Sequence, residues 1–416
     1  MFANVSRSRL LPMSLPFRYF GAAAVFQLAA WGLLLAFSPD LPSFGGGLGP
    51  IFASLHLLTL GVLAMSAIGA TLQLLPVATR QPVRALWAVK LLWWLLVPGI
   101  VVFAAGAALY RPEVMGAGAV AAVVAFAIYA VLLARNLAGA RGMRVVVTHG
   151  WAALACLVAL AATGIALVAR YEHGIALDHA AFRNAHLVLA TYGFMGLLAM
   201  GLSGFLLPML AVAPPPPPRL SYAALGVALA GIVFAVLGLT TLGASLGLAA
   251  SITHVASMER ALRARLRSPL GPAFLLIRVS WACLIASLAL AALGFPGGTP
   301  VFGIVLVVGW LLTFLLGVMQ RIVPFLASVH ASTTARGTPL ISAMTPVRLL
   351  AAHRVLHLAA LALLCISAFL DLPLLARIGA AAGFAGAALF ASFFLFVITK
   401  VRSHGNPYPP SQPAPA

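Results

Sequence analysis

The stretch Ile51-Phe-Ala-Ser-Leu-His56-Leu-Leu-Thr-Leu-Gly61-Val-Leu-Ala-Met-Ser-Ala-Ile-Gly-Ala-Thr-Leu-Gln-Leu74-Leu75-Pro76-Val77 contains no Asp, Glu, Lys or Arg. About 20 apolar residues in a helix cross roughly 30 Å of hydrocarbon, so this segment is a membrane span whose one ionisable side chain is His56. Working outward, eleven more stretches qualify, giving spans at 18–38, 51–77, 85–108, 116–136, 147–169, 185–211, 221–240, 242–262, 274–294, 301–326, 349–370 and 375–399. Hydrophobic residues fill 63% of the 416 positions and charged ones 7%, which excludes an ordinary soluble enzyme. The chain reads as an all-α polytopic membrane protein of about 12 transmembrane helices.

Charge orients the spans. With the N-terminus in the cytoplasm, Arg7, Arg9, Arg80, Arg84, Arg135, Arg141, Arg144, Arg219, Arg260, Arg263, Arg265, Arg267, Arg336, Arg348, Lys400 and Arg402 all fall on the inner side. Only Arg111, Arg170, Arg183 and Arg377 fall outside, with Asp40, Glu113, Glu172, Asp178 and Asp371; Glu259 is the one inner acid. The expected location is therefore the cell inner (cytoplasmic) membrane, with both termini cytoplasmic. The +19 net charge reads as anchoring to the lipid bilayer's inner leaflet. The basic residues are dealt out over many short loops and form no soluble basic domain, so no nucleic acid partner is implied.

The first stretch is too long for a cleaved signal and has no small-residue cleavage site, so it stays as span one. Cys156, Cys283 and Cys365 lie inside spans without a CxxC, which argues against disulfides and thiolate metal sites. Pro214 to Pro218 form a stiff inner loop, and 403–416 reads as a disordered tail.

Three places in the chain echo one another. His56 to Gly61 leads to Leu74-Leu75-Pro76, His186 to Gly193 leads to Leu206-Leu207-Pro208, and span ten ends at Gln320-Arg321-Ile322-Val323-Pro324. The prolines stand 132 and 116 residues apart, about a third of the chain each time. Arg18, His149 and Arg278 enter spans one, five and nine, and Arg84 with Lys90 mirrors Arg348 with Arg354. The economical reading is a pseudo-threefold arrangement of three four-helix units, 18–140, 147–267 and 274–402, in a single membrane domain.

Ionisable groups inside spans are costly and mark candidate sites. His56 and His186 sit near the outer ends of spans two and six, where neutral imidazole suits haem iron, copper or zinc; a headgroup-level histidine bonded to a loop is the bland alternative. His353 and His357 are four apart and share a helix face, a spacing that chelates a metal but also arises freely, with Arg354 as a competing charge. His254 in span eight and His149 at the inner mouth of span five are placed to join them if those helices meet. His173 and His179 belong to an external loop with Glu172 and Asp178, read as solvated, and His330 and His404 read as inner-surface residues.

No Asp or Glu lies deep in a span, which weighs against carboxylate proton relays. Arg278, Arg321 and Arg354 enter spans near the inner end, where they snorkel or form a basic vestibule for an anion. Gly61, Gly69, Gly193, Gly196, Gly201 and Gly204 suit close helix contact or a flat cofactor.

Twelve spans, three four-helix units and histidines opening spans two and six resemble the large catalytic subunit of the haem-copper oxidase superfamily, together with divergent relatives of the NnrS type linked to nitric oxide stress. The resemblance implies a low-spin haem ligand at His56 and a copper ligand at His186, with haem b or copper as cofactor. The chain departs from that pattern: Val301 to Trp310 contain no histidine, span seven lacks adjacent copper-binding histidines, and Tyr192 follows His186 by six residues instead of four. The expectation is a scaffold with a reduced cofactor set, not a complete oxygen reductase. It would serve respiration, cofactor assembly or nitrosative stress with a redox partner or another membrane subunit. The alternative is a cofactor-free membrane transporter or assembly factor with a basic inner mouth.

Overall fold

The structure, a computed structural model, describes residues 11–266, 270–294, 299–331 and 339–405. Arg7, Arg9, Arg267, Arg336 and the Pro-rich tail from Pro407 lie outside the described residues. Twelve long helices follow one another: α1 (Ser14–Ala36), α2 (Pro50–Thr79), α3 (Leu86–Ala108), α4 (Pro112–Ala138), α5 (Arg144–His173), α6 (His179–Ala211), α7 (Pro218–Val236), α8 (Thr240–Arg263), α9 (Ala273–Ala292), α10 (Pro300–Ala331), α11 (Val347–Leu370) and α12 (Pro373–Gly405). Proline occupies the first turn of α2, α4, α7 and α10, where its missing N–H costs nothing. The protein is thus an all-α polytopic membrane protein.

Eleven of these helices are long and apolar enough to span a membrane. The exception is α8: the expected span 242–262 is a helix, but Thr240, Thr241, Ser245, Ser251, Thr253, His254, Ser257, Glu259, Arg260 and Arg263 make it more polar than the rest. It forms a hairpin with α7 and packs on α9.

The packing repeats three times. Hairpins α3–α4, α7–α8 and α11–α12 form the tightest pairs, and α4, α8 and α12 each contact the helix that follows, α12 closing onto α1. In α2, α6 and α10 the helix widens into a π-helical segment at Leu57–Ala64, Leu189–Gly196 and Ile304–Leu312. The segments of α2 and α6 both touch that of α10. Such wide turns are uncommon and gather at functional places.

The glycines of these helices keep register with the prolines. Gly61, Gly193 and Gly309 precede Pro76, Pro208 and Pro324 by 15 residues, and Gly69, Gly201 and Gly317 precede them by seven. Each glycine receives a side chain from the neighbouring helix. A Cβ at the first set would meet Phe26 Cγ at 2.6 Å, Cys156 Cβ at 2.9 Å and Cys283 Sγ at 2.8 Å. At the second set it would meet Tyr19 Cβ at 2.9 Å, His149 Cβ at 2.5 Å and Ile277 Cγ1 at 3.0 Å. Close contact between helices is what small residues supply inside a bilayer, where burial from water gives no drive. It also accounts for the free thiols Cys156 and Cys283, which are packing groups.

Candidate functional site

His56 lies at the last α-helical residue before the π segment of α2, and its ring packs between Phe52 and Phe103, with centroids 4.1 and 5.1 Å away. Its Nδ1 is 3.0 Å from the carbonyl oxygen of Phe52. A carbonyl only accepts, so Nδ1 carries the proton and Nε2 keeps its lone pair. His186 lies one helix face away from symmetry. His56 precedes Pro76 by 20 residues whereas His186 precedes Pro208 by 22, and two residues turn a helix by about 200°. Symmetric positions would face different inter-helix spaces. The offset turns His186 toward α5, where its ring rests on Gly164 and Nδ1 is 3.4 Å from Thr163 Oγ1.

Thr163 donates its only hydroxyl proton to the carbonyl of Leu160 at 2.9 Å, which leaves its oxygen as an acceptor for a protonated His186 Nδ1. Both imidazoles thus present Nε2 lone pairs. Residue 188, which holds His56's symmetric place in α6, is Val188. It lines a separate cavity of about 280 Å³ between helices α6 to α10, and no histidine lines that cavity among the described residues.

His353 and His357 face α10, and each ring makes one hydrogen bond to it. Their rings stack at 6.0 Å with 8° between planes. Arg354 donates to Gln320 Oε1 at 3.3 Å, so the amide oxygen is fixed toward the guanidinium and the amide nitrogen toward His353 Nδ1 at 3.1 Å. His353 Nδ1 therefore accepts, and the proton sits on Nε2, which is buried and meets no protein acceptor. Thr313 gives its proton to Val308 O at 2.7 Å, so His357 Nε2, 2.7 Å away, must donate to Thr313 Oγ1. The bonded Val308 carbonyl belongs to the π segment of α10.

His254 bonds Ser203 of α6 at 3.2 Å, and His149 Nδ1 is tied to Val145 O at 2.8 Å. Among the described residues no three His, Cys, Asp or Glu side chains gather, so His254 does not join His353 and His357 in one metal site. The cause is that α8 presents His254 to α6 while α11 presents its pair to α10.

Two groups take partners that sequence alone did not assign. Arg278 forms a two-pronged ion pair with Glu259, at 2.6 and 2.9 Å, joining α9 to α8. Asp178 caps α6 by accepting the N–H of Ala181 at 3.0 Å. The adjacency of α8 and α9 in the chain, with one acid and one base on the same side, was the available signal for the first. An Asp just ahead of an apolar run was the signal for the second.

No family model matches the chain, and none of the curated proteins matches it.

Proposed function

We propose that the protein is a metal-binding membrane protein whose ion is held by His56 and His186. The observation that carries this reading is the oxygen beside each Nδ1, Phe52 O at 3.0 Å from His56 and Thr163 Oγ1 at 3.4 Å from His186, which assigns the proton to Nδ1 and leaves Nε2 its lone pair. Imidazole ligands of metals are held in this way, the second nitrogen fixing ring orientation and raising ligand basicity. Among the described residues no carboxylate joins them in a ligand group, so an ion of low charge costs least in this apolar setting, and copper in its cuprous form fits the donor set better than a divalent ion needing four ligands. Copper there would supply one-electron chemistry.

Haem fits less well. Phe52 and Phe103 cover the faces of His56, helix α5 closes on His186 at Gly164, and the 280 Å³ cavity is lined by neither histidine. His353, committed as an acceptor at Nδ1 with a proton on Nε2, has no lone pair to share with His357, so the α11 pair is read as structural.

We further read the chain as three four-helix units, 18–140, 147–267 and 274–402. The recurring π segments and glycine packing support this division, which keeps the likeness to the haem-copper oxidase scaffold and to NnrS-type proteins open as a proposal. A role in respiration, cofactor assembly or nitrosative stress goes with it, as do a redox partner, the cytoplasmic membrane and two cytoplasmic termini. The second reading, a cofactor-free transporter or assembly factor, draws on the cavity between α6 and α10.

The test is an absorbance spectrum of purified protein, oxidised and dithionite-reduced, with metal analysis on the same sample. Metal content that falls by one equivalent on alanine substitution of His56 and His186 is the expected result. Equal content in the variant sinks the assignment, and a Soret band that vanishes in it would restore haem.

A further inference from the structure

The cavity between α6 and α10 is shaped by the same sequence register that leaves Val188 where α2 has His56. Its lining runs along α6 from Arg183 at the outer end to Met200, 17 residues on. At 1.5 Å per residue that is roughly 25 Å of length. A volume of about 280 Å³ spread over such a length has the cross-section of a single chain. It is also at or below the small end of ligand pockets, roughly 300–1,000 Å³, which excludes a macrocycle.

Polarity changes along the cavity. Arg183, Asn184 and Thr240 stand at the outer mouth, while Leu187, Ala228, Ile232, Leu284 and Leu288 line the interior beside the stacked rings of Tyr192 and Trp310, 5.3 Å apart. The hydroxyl of Tyr192 is already donated to Ser287 at 2.9 Å, so the ring offers the cavity its face. Arg183 is exposed and its one bond is to Gly45 O at 3.5 Å. The ion pairs among the described residues are Arg111–Glu113, Arg278–Glu259 and His173–Glu172, so the Arg183 guanidinium has no carboxylate partner.

We infer that this cavity binds a single-chain anionic amphiphile, its chain lying between α6 and α10 and its anionic head on Arg183. An apolar chain gains little on leaving lipid for protein, because the bilayer is equally apolar. Recognition therefore rests on the head, where a charge-assisted bond to guanidinium supplies the preference. The same chemistry is offered by a free fatty acid and by one chain of an anionic phospholipid.

Trp310 gives the readout, since bromine on a bound chain quenches an adjacent indole. Dibromostearate, the same chain ended as an alcohol, and dibrominated phosphatidylglycerol are titrated into purified wild-type protein, Trp310→Phe and Arg183→Gln. A saturable quench by dibromostearate that is lost in Trp310→Phe is expected, with roughly tenfold weaker binding of the alcohol. Arg183→Gln, at an exposed position that leaves folding intact, should remove that preference. Saturable quenching by phosphatidylglycerol as well identifies lipid as a source; dibromostearate alone identifies a free fatty acid. Quenching that stays linear in concentration, or is the same in Trp310→Phe, overturns the proposal, and so does equal affinity for acid and alcohol in the wild type.

Discussion

His56 and His186 are half-buried and His353 and His357 are buried, all four within helices, yet the nitrogens of the two sets face opposite tasks. In the first pair each Nδ1–H points to an oxygen, so two lone pairs remain for a ligand. In the second, Arg354 fixes Gln320 and Gln320 fixes His353, so His353 turns a donor inward and His357 donates to Thr313. The lesson is that ligand capacity in a membrane interior is decided by what holds the other nitrogen. Spacing along the helix, which made the HxxxH pair a candidate chelate, decides only whether two rings share a face.

The largest expected effect separates the pairs outright. Alanine at His353 and His357 should leave the metal proposed at His56 and His186 at the wild-type equivalent, while alanine at His56 and His186 should remove one equivalent; metal analysis of wild type and the two double variants reads this. A loss of metal in the α11 variant would break the contrast. Smaller is the effect of Thr163→Val, which removes the oxygen beside His186 Nδ1. Losing an outer partner of a ligand costs metal affinity 10–100-fold in general, and the 3.4 Å bond here places the expected loss at roughly tenfold. A competition titration with a chromophoric cuprous chelator measures it, and unchanged affinity would show that Thr163 does not orient the ring.

Gln320→Leu tests the other side. It strips His353 of its donor and Arg354 of its acceptor, so about 1–3 kcal/mol of stability should be lost to unpaired buried polar groups, with metal content intact. A thermal melt in detergent reports the first and metal analysis the second. A variant as stable as wild type would mean that the Arg354–Gln320–His353 chain holds nothing together.

Much of the fold was legible because a spanning helix needs a long apolar run, a demand that local sequence meets or fails by itself. The expected spans 85–108 and 349–370 coincide with α3 and α11 to within a residue or two. α8 was the weak case, since residues 242–262 pass as apolar only if their serines and threonines are ignored. The glycines at 15 and seven residues before each proline were present in the sequence and are a sharper repeat signal than the Leu-Leu-Pro echo. The side chains that meet the second set of glycines are Tyr19, His149 and Ile277, so Arg18 and Arg278 each lie one residue off that register. The π segments were not legible: Leu57–Ala64 and Ile304–Leu312 carry the same Leu, Val and Gly as ordinary spans, and their widening depends on packing. Nor were the tautomers, because Thr313, Gln320 and Thr163 are distant or unremarkable until the helices meet.

The smallest effect is the most discriminating. Arg354 is half-buried and sits a turn or two inside α11, where its hydrogen bond reaches His353 through Gln320. Replacing it with Met keeps the apolar stem and removes the five donors. Gln320 is then free to turn, and its oxygen can accept from His353 Nδ1 once the guanidinium no longer claims it. The turned state moves the ring proton from Nε2 to Nδ1, which ends the unmet Nε2–H inside the protein and offsets much of the lost bond. Stability should change by less than about 1 kcal/mol, since one buried polar mismatch is exchanged for the relief of another. The tautomer, by contrast, should invert, and ¹⁵N spectra of histidine-labelled protein distinguish a protonated Nδ1 from a bare one. Inversion in Arg354→Met would give His353 the same nitrogen arrangement as His56, so that a side chain two bonds removed from the ring chooses between donor and ligand. A His353 that keeps its proton on Nε2 after the change would place the choice with Gln320 or the ring's packing on Phe390, 5.3 Å away, and not with the arginine.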